Sequence, residues 1–369
     1  MRVALIHDHL VQHGGAERVL LAMHEAYEKA PIFTLVYDEN SIGPDFKDAT
    51  VVSSFLQKIP FAPRFLRWLL PLMPAATEGY DLSDFDVVLS SSSAFAKGAI
   101  PAQSAISICY CHTPTRYLWS DTHSYVSELR LPNFIKALLP LFLSRLRSWD
   151  WHAAQRVDFF VANSKNVERR IKKYYQKNST VIYPPVETHK FQIQTGEKAY
   201  LLIGGRLVSY KRFDLAIQAA NKLKIPLKIF GTGPMEAELK KMSGPTVEFL
   251  GRVSDSERTK LYENAIAFLH PHEEDFGITA VESMAAGRPV IAFRSGGALE
   301  TVVENKTGIF FNDQNADALA QAIETLQQTT WDPAQIKTHA EKFSVARFQK
   351  ELQTYVKNKY EEHQKMLEQ

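Results

Sequence analysis

Between Ala265 and Phe293 the chain reads as an apolar run, a helix and a second apolar run, a succession that few folds accommodate. Ala265-Ile266-Ala267-Phe268-Leu269 and Pro289-Val290-Ile291-Ala292-Phe293 are apolar without alternation, the pattern of strands covered on both faces. The intervening Ile278 to Ala286 is rich in helix formers and stops at Gly287. Together these segments form a βαβ unit, whose ligands gather beyond the carboxyl ends of its strands.

The junction between the first strand and the helix reads His270-Pro271-His272-Glu273-Glu274-Asp275-Phe276-Gly277-Ile278, and it places Glu274 eight positions ahead of Glu282. Gly277 and Ile278 should offer unpaired N–H groups and the positive end of a helix dipole to an anion. A carboxylate does not bind phosphate, but it accepts hydrogen bonds from hydroxyl groups. One glutamate is therefore assigned to a hexose, the other to a ribose, with a diphosphate on the helix end between them. For a lone glutamate pair, acids that merely complement a surface helix dipole would be the plainer reading. The flanking strands favour the ligand site.

The first half of the chain alternates in the same way. Strands are expected at Val3 to Ile6, Ile32 to Val36, Val87 to Ser90, Ile106 to Tyr110 and Phe159 to Asn163, with a helix from about Ala16 to Ala30. With 369 residues and 45% hydrophobic content, two ordinary α/β domains fit. The diproline in Tyr183-Pro184-Pro185-Val186-Glu187 and the polar run ending Thr195-Gly196-Glu197-Lys198 read as the linker. After it come a strand Tyr200 to Ile203, the loop Gly204-Gly205-Arg206, a helix from about Phe213 to Lys222, and a strand Leu227 to Phe230 that ends in Gly231-Thr232-Gly233-Pro234.

Cys109 and Cys111 stand one residue apart on one expected strand, where backbone geometry disfavours a disulfide, so both are read as reduced core thiols. A net charge of +2, without zinc-ligand spacing or an aromatic RNA motif, gives no sign of a nucleic-acid partner. Arg2 to His7 is a short strand rather than a signal segment, from which a cytoplasmic location is expected. Phe55 to Pro74 and Leu129 to Trp151 mix Phe, Leu and Trp with Lys58, Arg64, Arg67, Arg130, Lys136, Arg145 and Arg147. Such segments either pack on the protein's own core or lie among anionic headgroups, peripheral at the inner face of the cell membrane.

The Glu-x7-Glu pattern with internal Phe-Gly-Ile, the following Ala-Ala-Gly-x-Pro-Val, and Ser295-Gly296-Gly297 with Glu300 resemble the retaining glycosyltransferases of family 4 across essentially the whole chain. The resemblance implies the GT-B fold: two doubly wound Rossmann-like α/β domains facing each other across a cleft, which close over a donor. It places an N-terminal, acceptor-side domain at residues 1–186, a nucleotide-sugar domain at 187–344, and a last helix, 345–369, that crosses back to the first domain.

It also implies roles for residues. Arg206 and Lys211, in Gly-Gly-Arg-Leu-Val-Ser-Tyr-Lys-Arg, match the family's cations for the departing diphosphate, and with them no metal is required. Gly14 and Gly15, in a loop running into a helix, are expected to approach the diphosphate from the opposite wall. His112, in Cys-His-Thr-Pro-Thr-Arg-Tyr-Leu-Trp, matches the histidine that contacts the transferring hexose, and Arg116 and Tyr117 fall on the acceptor side. Catalysis is assigned to His112, Arg206, Lys211 and Glu274. Donor binding adds Gly231, Arg252, Val253, Phe276, Gly277, Ile278 and Glu282. The loops Gly231 to Pro234 and Phe249 to Ser254 are expected to choose the base, largely through backbone groups. Where similar bacterial mannosyltransferases carry an acid directly after the Trp, this chain has Ser120 and then Asp121, which unsettles the local acceptor contacts.

The Cys-His-Thr-Pro-x-Arg-Tyr form is most similar to enzymes that transfer mannose from GDP-mannose to lipid-linked or oligosaccharide acceptors during surface polysaccharide assembly. Uridine-based donors stay open. Two rivals remain: a GT-B epimerase that hydrolyses its sugar nucleotide, and a non-catalytic sugar-nucleotide-binding scaffold. A nicotinamide oxidoreductase is disfavoured, because His7 to Gly15 holds no Gly-x-Gly-x-x-Gly.

Overall fold

The computed structural model describes residues 1–122, 126, 132–196 and 198–367. It divides into two compact units, Met1–Tyr183 with Phe348–Gln369, and Pro184–Arg347.

In the first unit the strands are β1 (Val3–His7), β2 (Ile32–Thr34), β3 (Val51–Ser53), β4 (Val87–Ser92), β5 (Ile106–Cys111), β6 (Phe159–Ala162) and β7 (Ser179–Val181). They pair in parallel in the order β3-β2-β1-β4-β5-β6-β7. The chain therefore builds outward from β1 to β3, returns, and builds the other way from β4. At such a reversal, here where β1 neighbours β4, the loops of doubly wound sheets diverge and ligands bind beyond the strand ends. His7 and Ser91 are opposite one another there. β1, β4 and β5 are buried along their whole length, β4 including its three serines.

The helix Gly15–Ala26 ends four residues earlier than its sequence suggests. Tyr27 N–H closes on Met23 and His24, and Ala30, held out of the helical region by Pro31, turns back onto Tyr27. Cys109 and Cys111 are free and buried, and burial pushes the Cys111 thiol up. The helix Val345–Leu367 buries Phe348, Leu352 and Val356 at helical spacing, and from Phe348 onward belongs to this first unit. Phe348 meets Tyr110 edge-on at 5.6 Å, while Gln349 donates to the Ala22 carbonyl.

The segment from Phe55 to Met73 and the helix Asn133–Arg156 share one apolar cluster, with Leu56, Ala62, Met73, Leu143 and Leu146 buried in it. Their other side chains face out: Phe61 is 72% exposed, Trp68 69%, Leu138 62% and Leu141 70%. The packing expected of these segments thus occurs on the inner side of the layer, and the outer side presents exposed apolar surface. Arg130 lies outside the described residues, as does the Arg67 side chain. Among the described residues no helix is long and apolar enough to cross a membrane.

The second unit repeats the plan with β8 (Tyr200–Gly204), β9 (Leu227–Phe230), β10 (Val247–Gly251), β11 (Ala265–His270), β12 (Val290–Phe293) and β13 (Gly308–Phe311), in the order β10-β9-β8-β11-β12-β13. Its reversal lies between β8 and β11. Alternate residues face opposite layers. Leu201, Ile203, Ala267 and Leu269 join the core under the helices Phe213–Leu223 and Ala316–Gln328, whereas Phe268 packs on Tyr262. The expected base-selecting loop Phe249 to Ser254 begins inside β10, because Phe249 pairs with Ile229.

The expected linker is not free chain. Val186 N–H donates to the Phe343 carbonyl at 2.8 Å, Val186 bridges to Ser344, Phe191 is buried, and Gln192 N–H donates to Glu263. These bonds place the division at Tyr183 and Pro184, a little ahead of residue 186, and its return at Arg347 and Phe348 rather than 344 and 345.

Candidate active site

In the second unit, glycine-rich strand ends interlock beside the reversal. Gly205 N–H donates to Phe230, Leu207 N–H to Thr232, and Gly231 N–H to Gly251. Gly231 has φ +109, and a Cβ there would stand 1.9 Å from the Gly205 carbonyl oxygen, so only glycine fits. At Gly205, with φ +130, a Cβ would meet the Lys211 ammonium at 3.1 Å. The missing side chain leaves room for that cation over the loop.

Lys211 ends a short 3₁₀ turn, Ser209–Lys211, and is buried. Its Nζ lies 2.6 Å from Glu274 Oε1, joining the loop after β8 to the loop after β11 across the reversal. His272 Nε2 is 3.3 Å from the same oxygen. Burial alone would raise the Glu274 carboxyl, but Lys211 and then His272 outweigh it and hold it well below the usual range. Glu274 is thus an ionised acceptor beside a buried cation.

The glycine turn after β12 fixes this loop. Gly297 N–H donates to the Glu274 carbonyl at 2.8 Å, and a Cβ at Gly296 or Gly297 would stand 2.4 Å from the loop backbone. Gly277, at φ +91, opens the helix Ile278–Ala285 and has no side chain of its own to cap the first N–H groups at the helix's positive end.

Other expected residues lie differently. Arg206 and Arg252 are exposed on their loops, with Val253 half-buried beside Arg252. Phe276 is buried and meets Phe343 edge-on at 5.5 Å, so its side chain packs the core and only its backbone is available to a ligand. Glu282 sits in the second turn of its helix, 3% exposed, where it accepts from Tyr262 OH at 3.0 Å and has Arg258 Nη2 at 3.6 Å. A ribose hydroxyl would have to share a carboxylate that already has two partners.

His270 and His272 went unremarked in the sequence although they alternate with Glu274 at period two, a spacing that puts all three on one side of an extended segment. Their ligand atoms and that of Glu274 lie within 4.8 Å of one another. His270 is fully buried and, among the described residues, has no hydrogen-bond partner on either ring nitrogen. Burial, and then His272, pull it down to about 3, so it is neutral. The cation of this cluster is Lys211.

In the first unit, Gly14 N–H donates to Glu17 Oε2 at 2.9 Å, closing the start of the helix Gly15–Ala26. His112 directly follows β5, its N–H on Ser92 O and its carbonyl accepting from Asn163. Burial, and then His7, lower its imidazole to about 4, so it is neutral at physiological pH. Arg116 Nη1 stands 3.9 Å from Asp121, the acid displaced by one position from the related motif, and Tyr117 packs partly buried on the apolar cluster of Leu56 and Leu143.

The segment from Cys111 to Trp119 is held by Asp150. This carboxylate, 1% exposed, accepts from Thr115 Oγ1 at 2.7 Å, Trp119 Nε1 at 2.8 Å and Tyr175 OH at 2.8 Å, and pairs with Lys97 Nζ at 2.5 Å. Lys97 is also buried, and donates further to the Ala94 carbonyl. Burial would lower the lysine, but Asp150 more than offsets it.

Comparison with known proteins agrees with these features. Residues 13–190 match the model of glycosyltransferase family 4, and residues 185–343 match that of glycosyl transferases group 1. The chain is 25% identical to the alpha-1,3/1,6-mannosyltransferase ALG2 of Candida glabrata, over 96% of this chain and 91% of that one. It is 33% identical to the GDP-mannose-dependent alpha-(1-6)-phosphatidylinositol monomannoside mannosyltransferase of Mycobacterium tuberculosis, over 36% of this chain and 39% of that one. Among solved structures, Anabaena HepE in complex with UDP and glucose superposes with a TM-score of 0.71 at 17% identity, covering 97% of this chain and 99% of that one. Sucrose-phosphate synthase of Thermosynechococcus elongatus reaches 0.73 at 16% identity, covering 98% and 99%. The chain belongs to glycosyltransferase family 4 and has the GT-B fold.

Proposed function

We propose that the enzyme transfers mannose with retention from GDP-mannose to a lipid-linked or oligosaccharide acceptor. The observation that carries this reading is the Lys211–Glu274 pair at the β8/β11 reversal, a cation and an ionised acceptor side by side beyond the strand ends. Lys211 and Arg206 meet the diphosphate, whose charge grows as the C1–O bond breaks. Glu274 accepts from hexose hydroxyls, and the open helix start at Gly277 and Ile278 faces phosphate. The acceptor oxygen attacks C1 on the face the diphosphate leaves, and its proton passes to the departing phosphate oxygen. The protein supplies orientation and electrostatics, with His112 against the sugar.

The mannosyl names of relatives aligned at low identity support the sugar assignment. The uridine nucleotide in the HepE complexes favours a second reading, a UDP-sugar donor. Thermal melts with a panel of sugar nucleotides separate the two, since a ligand at a hundred times its Kd adds about 2.7 kcal/mol. Guanosine diphosphates are expected to raise the melting temperature and uridine diphosphates to leave it alone. An equal response to both overturns the donor assignment. Product analysis with acceptor distinguishes transfer from epimerisation or hydrolysis, and a scaffold protein would leave every sugar nucleotide intact.

The exposed Phe61, Trp68, Leu138 and Leu141, backed by the shared cluster and accompanied by Lys58 and Arg64, suit an anionic bilayer that presents a lipid-linked acceptor. The protein is expected to float with anionic vesicles at low salt, and Trp68→Ser together with Leu141→Ser to abolish flotation. Absence of binding by the unaltered protein removes the membrane from the reading.

A further inference from the structure

Behind His112 runs a buried file of polar side chains drawn from three separate elements. Ser91 Oγ, on β4, is 2.8 Å from His112 Nε2. On its other side the same oxygen is 3.2 Å from His7 Nδ1 at the end of β1. His7 Nε2 in turn faces Glu17 Oε1 at 3.8 Å, an electrostatic contact, and the second Glu17 oxygen is held by Gly14 N–H at 2.9 Å. His7, Ser91 and Glu17 are 3%, 0% and 2% exposed, so the file is closed to bulk solvent.

Hydrogen-bond polarity in such a file is set from one end. Burial raises the Glu17 carboxyl, but its bonds and charge contact with His7 bring it down to about 2, so Glu17 is ionised and only accepts. A negative oxygen opposite His7 Nε2 favours the tautomer with its proton there, which leaves His7 Nδ1 as an acceptor. Ser91 O–H then donates to His7, and the serine lone pairs accept from His112 Nε2–H. His112 Nδ1 is left bare. Asp8, His9 and Tyr110 are further ionisable neighbours of this group: Tyr110 meets the His112 ring edge-on at 5.4 Å, and Asp8 is engaged by the backbone N–H groups of Ser93, Ala94, Phe95 and Ala96 at 2.6–2.9 Å.

We propose that Glu17, His7 and Ser91 are positioning residues that hold His112 in the Nε2–H tautomer, so that its Nδ1 edge accepts a hydrogen bond from a donor-sugar hydroxyl. The relay concerns the protein alone, whereas the sugar contact rests on the function proposed above. A sugar carrying fluorine in place of that hydroxyl would offer the site no proton. Specificity at one sugar position is thereby decided by a carboxylate at the far end of the file.

The test reads ring nitrogens directly, by ¹⁵N NMR of histidine-labelled full-length protein at pH 8 without ligand, with His112→Asn used to assign the resonance. The expected spectrum shows His112 and His7 each with a protonated Nε2 and a bare Nδ1. Glu17→Gln, whose amide can donate to His7 Nε2, and Ser91→Ala, which cuts the file, are each expected to shift the His112 signals away from that tautomer while both proteins melt cooperatively. Donor kcat/KM should fall about tenfold in both, the worth of one hydrogen bond. A His112 protonated on Nδ1, a doubly protonated His7, or a His112 tautomer unmoved in both variants overturns the relay. The expected NMR shifts with unchanged kcat/KM would uphold the relay and overturn only the sugar contact.

Discussion

Replacing Lys211 with alanine is expected to lower turnover about 10²- to 10³-fold, the usual cost of losing one group aimed at developing transition-state charge. Two losses coincide there. The diphosphate loses a buried cation, and Glu274 loses the partner that outweighs its desolvation. The carboxyl should then titrate higher, and activity that survives should fall off at a higher pH on the acid side than in the unaltered enzyme. Arg206→Ala is expected to cost a similar factor with no change in melting temperature, because Arg206 is exposed on its loop. Initial rates with saturating donor, paired with thermal melts, check both. Near-normal turnover in Arg206→Ala contradicts its assignment, and a loss that tracks unfolding removes Lys211 from the chemistry.

The largest effect on stability is expected from Asp150→Ala. The substitution strips one carboxylate from Lys97, Thr115, Trp119 and Tyr175 at once, and leaves a buried ammonium uncompensated. Breaking a buried pair from one side costs about 3–5 kcal/mol, enough to lower the melting temperature by roughly 10 °C for a unit of this size. Adding Lys97→Met should recover much of that, since the stranded charge is then gone. Denaturant titration of the single and double variants measures the recovery, and its absence would mean that the neutral donors, rather than the lysine, dominate the cost.

The sequence made the layered α/β plan legible because its central strands are nearly continuous apolar runs: Val3 to Ile6, Ile106 to Tyr110 with only Ser107 breaking it, and Ala265 to Leu269 read as strands covered on both faces. The outer strands were not legible. Val51–Ser53 and Ser179–Val181 are three residues long and only partly buried, so their form comes from pairing with a neighbour rather than from their own pattern. Within the site, Lys211 and Glu274 stood out through their motifs. The partners that decide their neighbours' state did not. Tyr262 and Glu282 are twenty positions apart, and His7 and Ser91 eighty-four, and the Ser90-Ser91-Ser92-Ser93 run gives no sign of which hydroxyl is used. Only the sheet register selects it. His270 and His272 could have been found, because their two-residue spacing at the end of an apolar strand needs no tertiary knowledge.

The contact between Gly231 and Gly205 bears on how such enzymes are redesigned. Two turns that touch backbone to backbone cannot be exchanged one at a time. Grafting a foreign loop after β9 would demand the matching turn after β8, which also seats Lys211. On the function proposed above, nucleotide preference would be inherited in a block with the cation assigned to the leaving group, and chimeras should be cut outside both turns.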